Sequence, residues 1–98
     1  MTKVKIVCTI GPACSRYETL VDMAKAGMNV ARFNFSHGEY EGHLGMLNLV
    51  RTVERDLKVP IACLLDTKGP EIRTGKVEGG TVSLEQGSTL TLTTRSLL

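Results

Sequence analysis

Two clusters of residues have the types and spacing to handle an anion and a cation side by side. The first is Arg32, Asn34, Ser36 and His37; the second is Asp66, Thr67, Lys68, Glu71 and Arg73. Arg32 stands among Val30, Ala31 and Phe33, so its guanidinium needs an anion in a largely apolar setting. Its planar fork matches a phosphate well, and a structural ion pair with a carboxylate satisfies it too; the residues alone leave both readings open. Asn34, Ser36 and Asp66 offer an amide oxygen, a hydroxyl and a carboxylate. An all-oxygen set with a single formal charge suits a hard cation, and the low charge favours a monovalent one. The rival reading is a satisfied polar network at a loop, with Ser36 as a helix N-cap. A hydroxyl has lone pairs enough for both tasks. His37 at a helix start reads as an ordinary exposed histidine. Lys68, Arg73 and Lys76 lie in a Gly-rich stretch where basic groups can meet nucleotide phosphates, although spacing alone favours a solvated loop. Lys68-Gly69-Pro70 is not a Walker loop, because it lacks the glycine spacing and the Gly-Lys-Ser/Thr ending.

These residues need elements to position them. Residues 4–10 form a β-branched apolar run that stops at Gly11-Pro12, which predicts a strand and a loop. Ser15 and Glu18 have capping-box spacing ahead of a helix marked by Leu20, Met23, Ala24 and Met28, with Gly27 suited to its end. Residues 29–35 predict a second strand, with Ala31, Phe33 and Phe35 on one face and Arg32, Asn34 and Ser36 on the other. Ser36 and Glu39 repeat the capping-box spacing before a helix to about residue 56, whose stripe is Leu47, Val50, Val53 and Leu57. Gly42 and Gly45 weaken its start. Residues 60–65 are apolar throughout, as in a parallel strand covered on both faces. Strand, helix, strand, helix, strand implies parallel strands with right-handed crossovers. In such folds functional groups gather at the carboxyl ends of the strands, where both clusters fall. Beyond Asp66 the pattern changes. Residues 78–81 and 85–88 read as turns, and Leu90 and Leu92 alternate with threonines as in a half-exposed antiparallel strand. A boundary falls near Gly69-Pro70.

Composition excludes several partners. Twelve basic and ten acidic residues in 98 give a net charge of +2, aromatics are few and Trp is absent. That argues against a nucleic-acid partner. No apolar run approaches a bilayer span, and the N-terminus has no signal-peptide pattern. Cys8, Cys14 and Cys63 have no metal-type spacing, which reads as reduced thiols in a cytoplasmic protein, with Cys8 and Cys63 as buried small hydrophobes.

Three blocks carry a resemblance. They are Cys8-Thr9-Ile10-Gly11-Pro12, the stretch Gly27-Met28-Asn29-Val30-Ala31-Arg32-Phe33-Asn34-Phe35-Ser36-His37-Gly38, and Leu65-Asp66-Thr67-Lys68-Gly69-Pro70-Glu71-Ile72-Arg73-Thr74-Gly75. In this order and spacing the chain, from about Lys3 onward, closely resembles the N-terminal part of pyruvate kinase. The resemblance implies an α/β fold: a (β/α)8 TIM barrel interrupted after its third strand by a small all-β lid domain. Residues 1–69 would then be the first three βα units of the barrel, incomplete here, and residues 70–98 the beginning of the lid. It implies phosphoryl transfer from phosphoenolpyruvate to ADP, giving pyruvate and ATP, the final step of glycolysis. By resemblance Arg32 holds the substrate phosphate. Asn34, Ser36, Asp66 and the carbonyl of Thr67 form the potassium site. Arg73 and the turn of Asn34, Phe35, Ser36 and His37 meet nucleotide phosphates. Family members with glutamate at the position of Glu71 generally need potassium, whereas lysine there tends to replace the ion. The family's magnesium-binding carboxylates, catalytic lysine and enolate proton donor lie further along the chain, so no catalytic residue is assigned here. The implied cofactors are Mg2+ and K+, and family members are homo-oligomers. Phosphoryl transfer relies on positioning and on cations around spreading negative charge, which an arginine and a monovalent ion supply in part.

Three barrel strands cannot close a barrel and leave open edges and uncovered apolar faces. An alternative is a non-catalytic truncated remnant that only binds phosphate, nucleotide or partner subunits; another is a different barrel enzyme sharing the phosphate site. The isolated 98-residue chain is expected to be unstable, oligomeric or aggregation-prone and to form no pyruvate. Calorimetry on the purified chain checks this, and a monodisperse monomer with one cooperative melt would contradict it.

Overall fold

Three short strands and two helices, the first helix ended by Gly27 and the second by Lys58 at φ +55, fold as a small parallel sheet with both helices on one side. The computed structural model describes residues 3–96. The elements are β1 (Ile6–Thr9), a 3-10 turn (Pro12–Cys14), α1 (Tyr17–Ala26), β2 (Met28–Asn34), α2 (Tyr40–Leu57) and β3 (Ala62–Asp66). The sheet runs β1-β2-β3 with both pairings parallel, the order expected when helical crossovers join neighbouring strands. Val7 pairs with Val30, Thr9 with Arg32, Arg32 with Leu64 and Asn34 with Asp66. Paired residues of a parallel ladder share a face and successive residues alternate. One face therefore carries Thr9, Arg32, Asn34, Leu64 and Asp66, and the other carries Cys8, Ala31, Phe33, Cys63 and Leu65.

The second face meets the helices. Leu20 of α1, Val50 and Val53 of α2, Ala31 and Phe33 of β2 and Ile61 form one buried cluster with Ile10, Cys14 and Met28. Gly27 ends α1 at φ +123, and its N–H reaches the carbonyls of Ala24 and Met23, as its sequence position suggested.

Local chemistry moves several boundaries from those expected. The Ser15 hydroxyl donates to the Pro12 carbonyl at 3.2 Å, so the 3-10 turn claims it and Arg16 stands at the N-cap of α1 with no side-chain cap. The second capping box is also not made. Asn34 Oδ1 accepts the Ser36 N–H at 3.0 Å, bending the chain into a turn, and α2 starts later with Glu39 at its N-cap. β3 begins at Ala62 rather than at residue 60. Proline has no N–H to give a ladder, and the Ile61 N–H and carbonyl are taken by Glu54 Oε2 (2.7 Å) and Arg51 (3.3 Å). Cys14, not Cys8 or Cys63, is the buried thiol, and all three are free. β3 is not covered on both faces, since Leu64 and Leu65 are 40% and 56% exposed.

No strand forms among described residues 67–96. Two turns do form, the first one residue earlier than expected: the Gly80 N–H reaches the Val77 carbonyl at 3.0 Å, and the Ser88 N–H reaches that of Glu85 at 3.1 Å. The strands expected between them do not, and Leu90 and Leu92 stay exposed. An isolated hairpin is marginal in water unless an apolar layer covers it, and these residues meet none. Leu98, the end of the expected lid segment, lies outside the described residues.

Leu20 is fully buried at the centre of the cluster. Leu20→Ala is expected to lower stability by about 2–5 kcal/mol, measured as a fall in the urea midpoint at unchanged slope. An unchanged midpoint would mean α1 is not part of the cooperative core.

Candidate functional site

The polar residues of the first face converge where the strands end. Arg32 Nε donates to Asp66 Oδ2 at 3.0 Å, a second guanidinium nitrogen reaches the same oxygen, and NH1 donates to Thr9 Oγ1 at 2.8 Å. One side chain from each strand thus meets the others. The Arg32 and Asp66 side chains are 31% and 43% exposed, so the pair opens to solvent and is partly screened. Three guanidinium N–H groups are spent; the others stay available to an anion. Both Arg32 bonds fall on Asp66 Oδ2, leaving Oδ1 for another ligand. The structural ion pair that competes with phosphate for Arg32 therefore exists, and its acid is itself a candidate cation ligand.

The backbone continues this meeting past the ladder. The Phe35 N–H reaches the Asp66 carbonyl at 2.9 Å, and the His37 N–H reaches the Asn34 carbonyl at 3.2 Å. Asn34, Ser36, Asp66 and Thr67 are consequently brought to one corner. Ser36 is not the helix cap, so that competing role falls away. The donors are all oxygen with one formal charge, which fits a monovalent cation. They do not fit magnesium, because Asp66 is the one carboxylate of this corner and Arg32 holds it. Among the described residues no group of three or more His, Cys, Asp or Glu could hold a metal ion.

Arg73 bonds to Glu71 and not to the Arg32–Asp66 pair. Its Nε and NH2 donate to the two carboxylate oxygens of Glu71, both at 2.9 Å, and Lys68 lies 3.5 Å from the same acid. The bidentate bond from Arg73 comes first among the causes that hold the Glu71 carboxyl down at about 2, from an ordinary 4.5. His37 is exposed. One participant lacked a sequence assignment: Thr9 was marked only by its place at the end of the first strand, on the face that Arg32 shares.

A family model described as pyruvate kinase, barrel domain, matches residues 1–98. The chain belongs to the pyruvate kinase family. The pyruvate kinase of Staphylococcus saprophyticus is 52% identical over 92 residues, covering 94% of this chain and 16% of that protein. That of Staphylococcus aureus is 52% identical over 88 residues, 90% of this chain and 15% of that one. A crystal structure of Cryptosporidium parvum pyruvate kinase superposes with a TM-score of 0.75 at 47% identity, over 79% of this chain and 16% of that one. The chain thus spans about a sixth of the length of these pyruvate kinases. No described helix is long and apolar enough to cross a membrane.

Glu71 should titrate with a midpoint near 2, read from its carboxyl carbon by NMR. A depressed pKa stabilises the loop bond above the carboxyl's ordinary range. That contribution fades as pH falls through 4.5 and is gone below about 2. Arg73→Gln should return the midpoint toward 4.5; an unchanged midpoint would mean that Arg73 is not the cause.

Proposed function

We propose that this chain forms the substrate-phosphate and potassium corner of a pyruvate kinase, which transfers the phosphoryl group of phosphoenolpyruvate to ADP. The observation that carries the reading is the Arg32 guanidinium, held from two strands by Asp66 and Thr9 with N–H groups left over. Such a guanidinium is aimed before any ligand arrives, so little reorganisation is needed when an anion binds. Arg32 binds the phosphate of phosphoenolpyruvate. Asp66 orients Arg32 through Oδ2 and offers Oδ1, with Asn34, Ser36 and the Thr67 carbonyl, to potassium. The ion, when bound, supplies positive charge beside the phosphoryl oxygens. The turn of Asn34, Phe35, Ser36 and His37 meets nucleotide phosphates, and Arg73 joins them by leaving Glu71.

Residues 1–69 belong to the barrel and residues 70–98 begin the lid, whose strands form only where a partner strand and an apolar layer cover them. Magnesium enters through the family, and no residue of this chain is assigned to it. Cytoplasmic location and homo-oligomeric assembly belong to the same reading.

Arg32→Lys, made in the protein at its natural length, keeps the charge and loses the fork. Charge-assisted bonds are individually worth about 1.5–3 kcal/mol, so phosphoenolpyruvate should bind about 10- to 100-fold more weakly, by calorimetric titration and in pyruvate formation. Unchanged binding would remove Arg32 from the site. Binding without pyruvate formation by the unsubstituted protein would favour a non-catalytic remnant.

A further inference from the structure

We propose that His43 is a positioning residue that clamps the turn from Asn34 to Gly38 and so sets the affinity for potassium and ADP; this rests on the reading above that the turn holds both ligands. His43 lies in the first turns of α2 and is one helical step from Glu39, whose carbonyl accepts its N–H at 3.0 Å. The helix thereby sets where the imidazole goes. Its Nε2 is 2.6 Å from the His37 carbonyl oxygen. A carbonyl only accepts, so Nε2 is the nitrogen that carries the proton. The ring also stacks on Phe35, with centroids 4.4 Å apart and planes 10° from parallel.

Two different forces thus grip alternate residues of one turn. The hydrogen bond fixes the backbone at His37, and the stack fixes the side chain at Phe35. Between them Ser36 has its N–H held by Asn34 Oδ1. Gly38 leaves room for the clamp: at φ +76, a Cβ there would stand 3.3 Å from His43 Nε2. The turn is also held by the backbone bonds from Phe35 to Asp66 and from His37 to Asn34 and by the Tyr40 ring, 5.6 Å from that of Phe35. Past Phe35 it has left the ladder, and a cavity of about 310 Å³ lined by Phe33, Phe35, Tyr40, His43, Leu47 and Cys63 flanks it. A side chain bordering such space can shift without a clash, and the bond and the stack from His43 limit that movement. His43 touches no ligand in this scheme. It acts by holding Asn34, Ser36 and His37 where their donors and acceptors converge, and displacements of an ångström at such groups carry large penalties.

The test uses His43→Leu, which keeps apolar bulk and removes the donor, and His43→Gln, which returns an N–H donor, both in the protein at its natural length. Amide hydrogen exchange of residues 35–38, followed by mass spectrometry, should speed up about tenfold or more in H43L and return toward the original rate in H43Q. Half-activation by potassium and half-saturation by ADP should rise in H43L by several-fold, with half-saturation by phosphoenolpyruvate little changed, and H43Q should restore both. Unchanged exchange in H43L overturns the proposal. So does faster exchange with unaltered potassium and ADP dependence, and so does an equal loss for all three ligands, which would mark a general loss of folding. Failure of the unsubstituted protein to respond to potassium or phosphoenolpyruvate would sink the functional reading instead, and the exchange comparison would still decide whether His43 holds the turn.

Discussion

Strand β2 is hydrogen-bonded along both edges, to β1 and to β3, and side chains on a strand alternate strictly between faces. From these two facts the rest of the molecule follows. A slip of one residue in either pairing would send Arg32 into the helices and Phe33 to the open side. The register is held because Ala31 and Phe33 are buried while Arg32 and Asn34 remain partly exposed. Burial of the apolar face thus aligns the polar face, and Thr9, Arg32 and Asp66 meet because their neighbours pack.

The meeting of Arg32 and Asp66 does more for orientation than for stability. Both side chains are partly exposed, and pairs of that kind contribute little to folding. What they gain is direction: a guanidinium fork fixed by a carboxylate and a hydroxyl cannot rotate freely. Asp66 links the two halves of the corner, because one of its oxygens holds Arg32 while the other remains free. His43 extends the same logic into the turn, where no ladder reaches.

Beyond Asp66 the balance is different. Residues 67–96 form turns at Gly79-Gly80 and Gly87 because turn geometry is local and glycine tolerates positive φ. They form no ladder, because a ladder needs a partner strand and an apolar layer. The Glu71–Arg73 pair stands in this stretch as a local bond that occupies Nε and NH2 of the Arg73 guanidinium.

The order of strands and helices, their parallel pairing, the two faces of β2, the glycine that ends α1 and the turns near Gly79 and Gly87 were all legible in residue order. Each depends on period, composition or backbone freedom, which are local. The membership of Arg32, Asn34, Ser36 and Asp66 in one corner was legible too, since parallel strands bring their carboxyl ends together. Tertiary structure alone decided the partners. Arg32 could satisfy a phosphate or a carboxylate equally well, and only the register with β3 placed Asp66 within its reach. Ser15 and Ser36 had the spacing of helix caps, but a proline turn and an asparagine turn took their hydrogen-bonding groups first. Thr9 and His43 entered through contacts across 23 and 6 residues, distances over which sequence pattern carries no directional information.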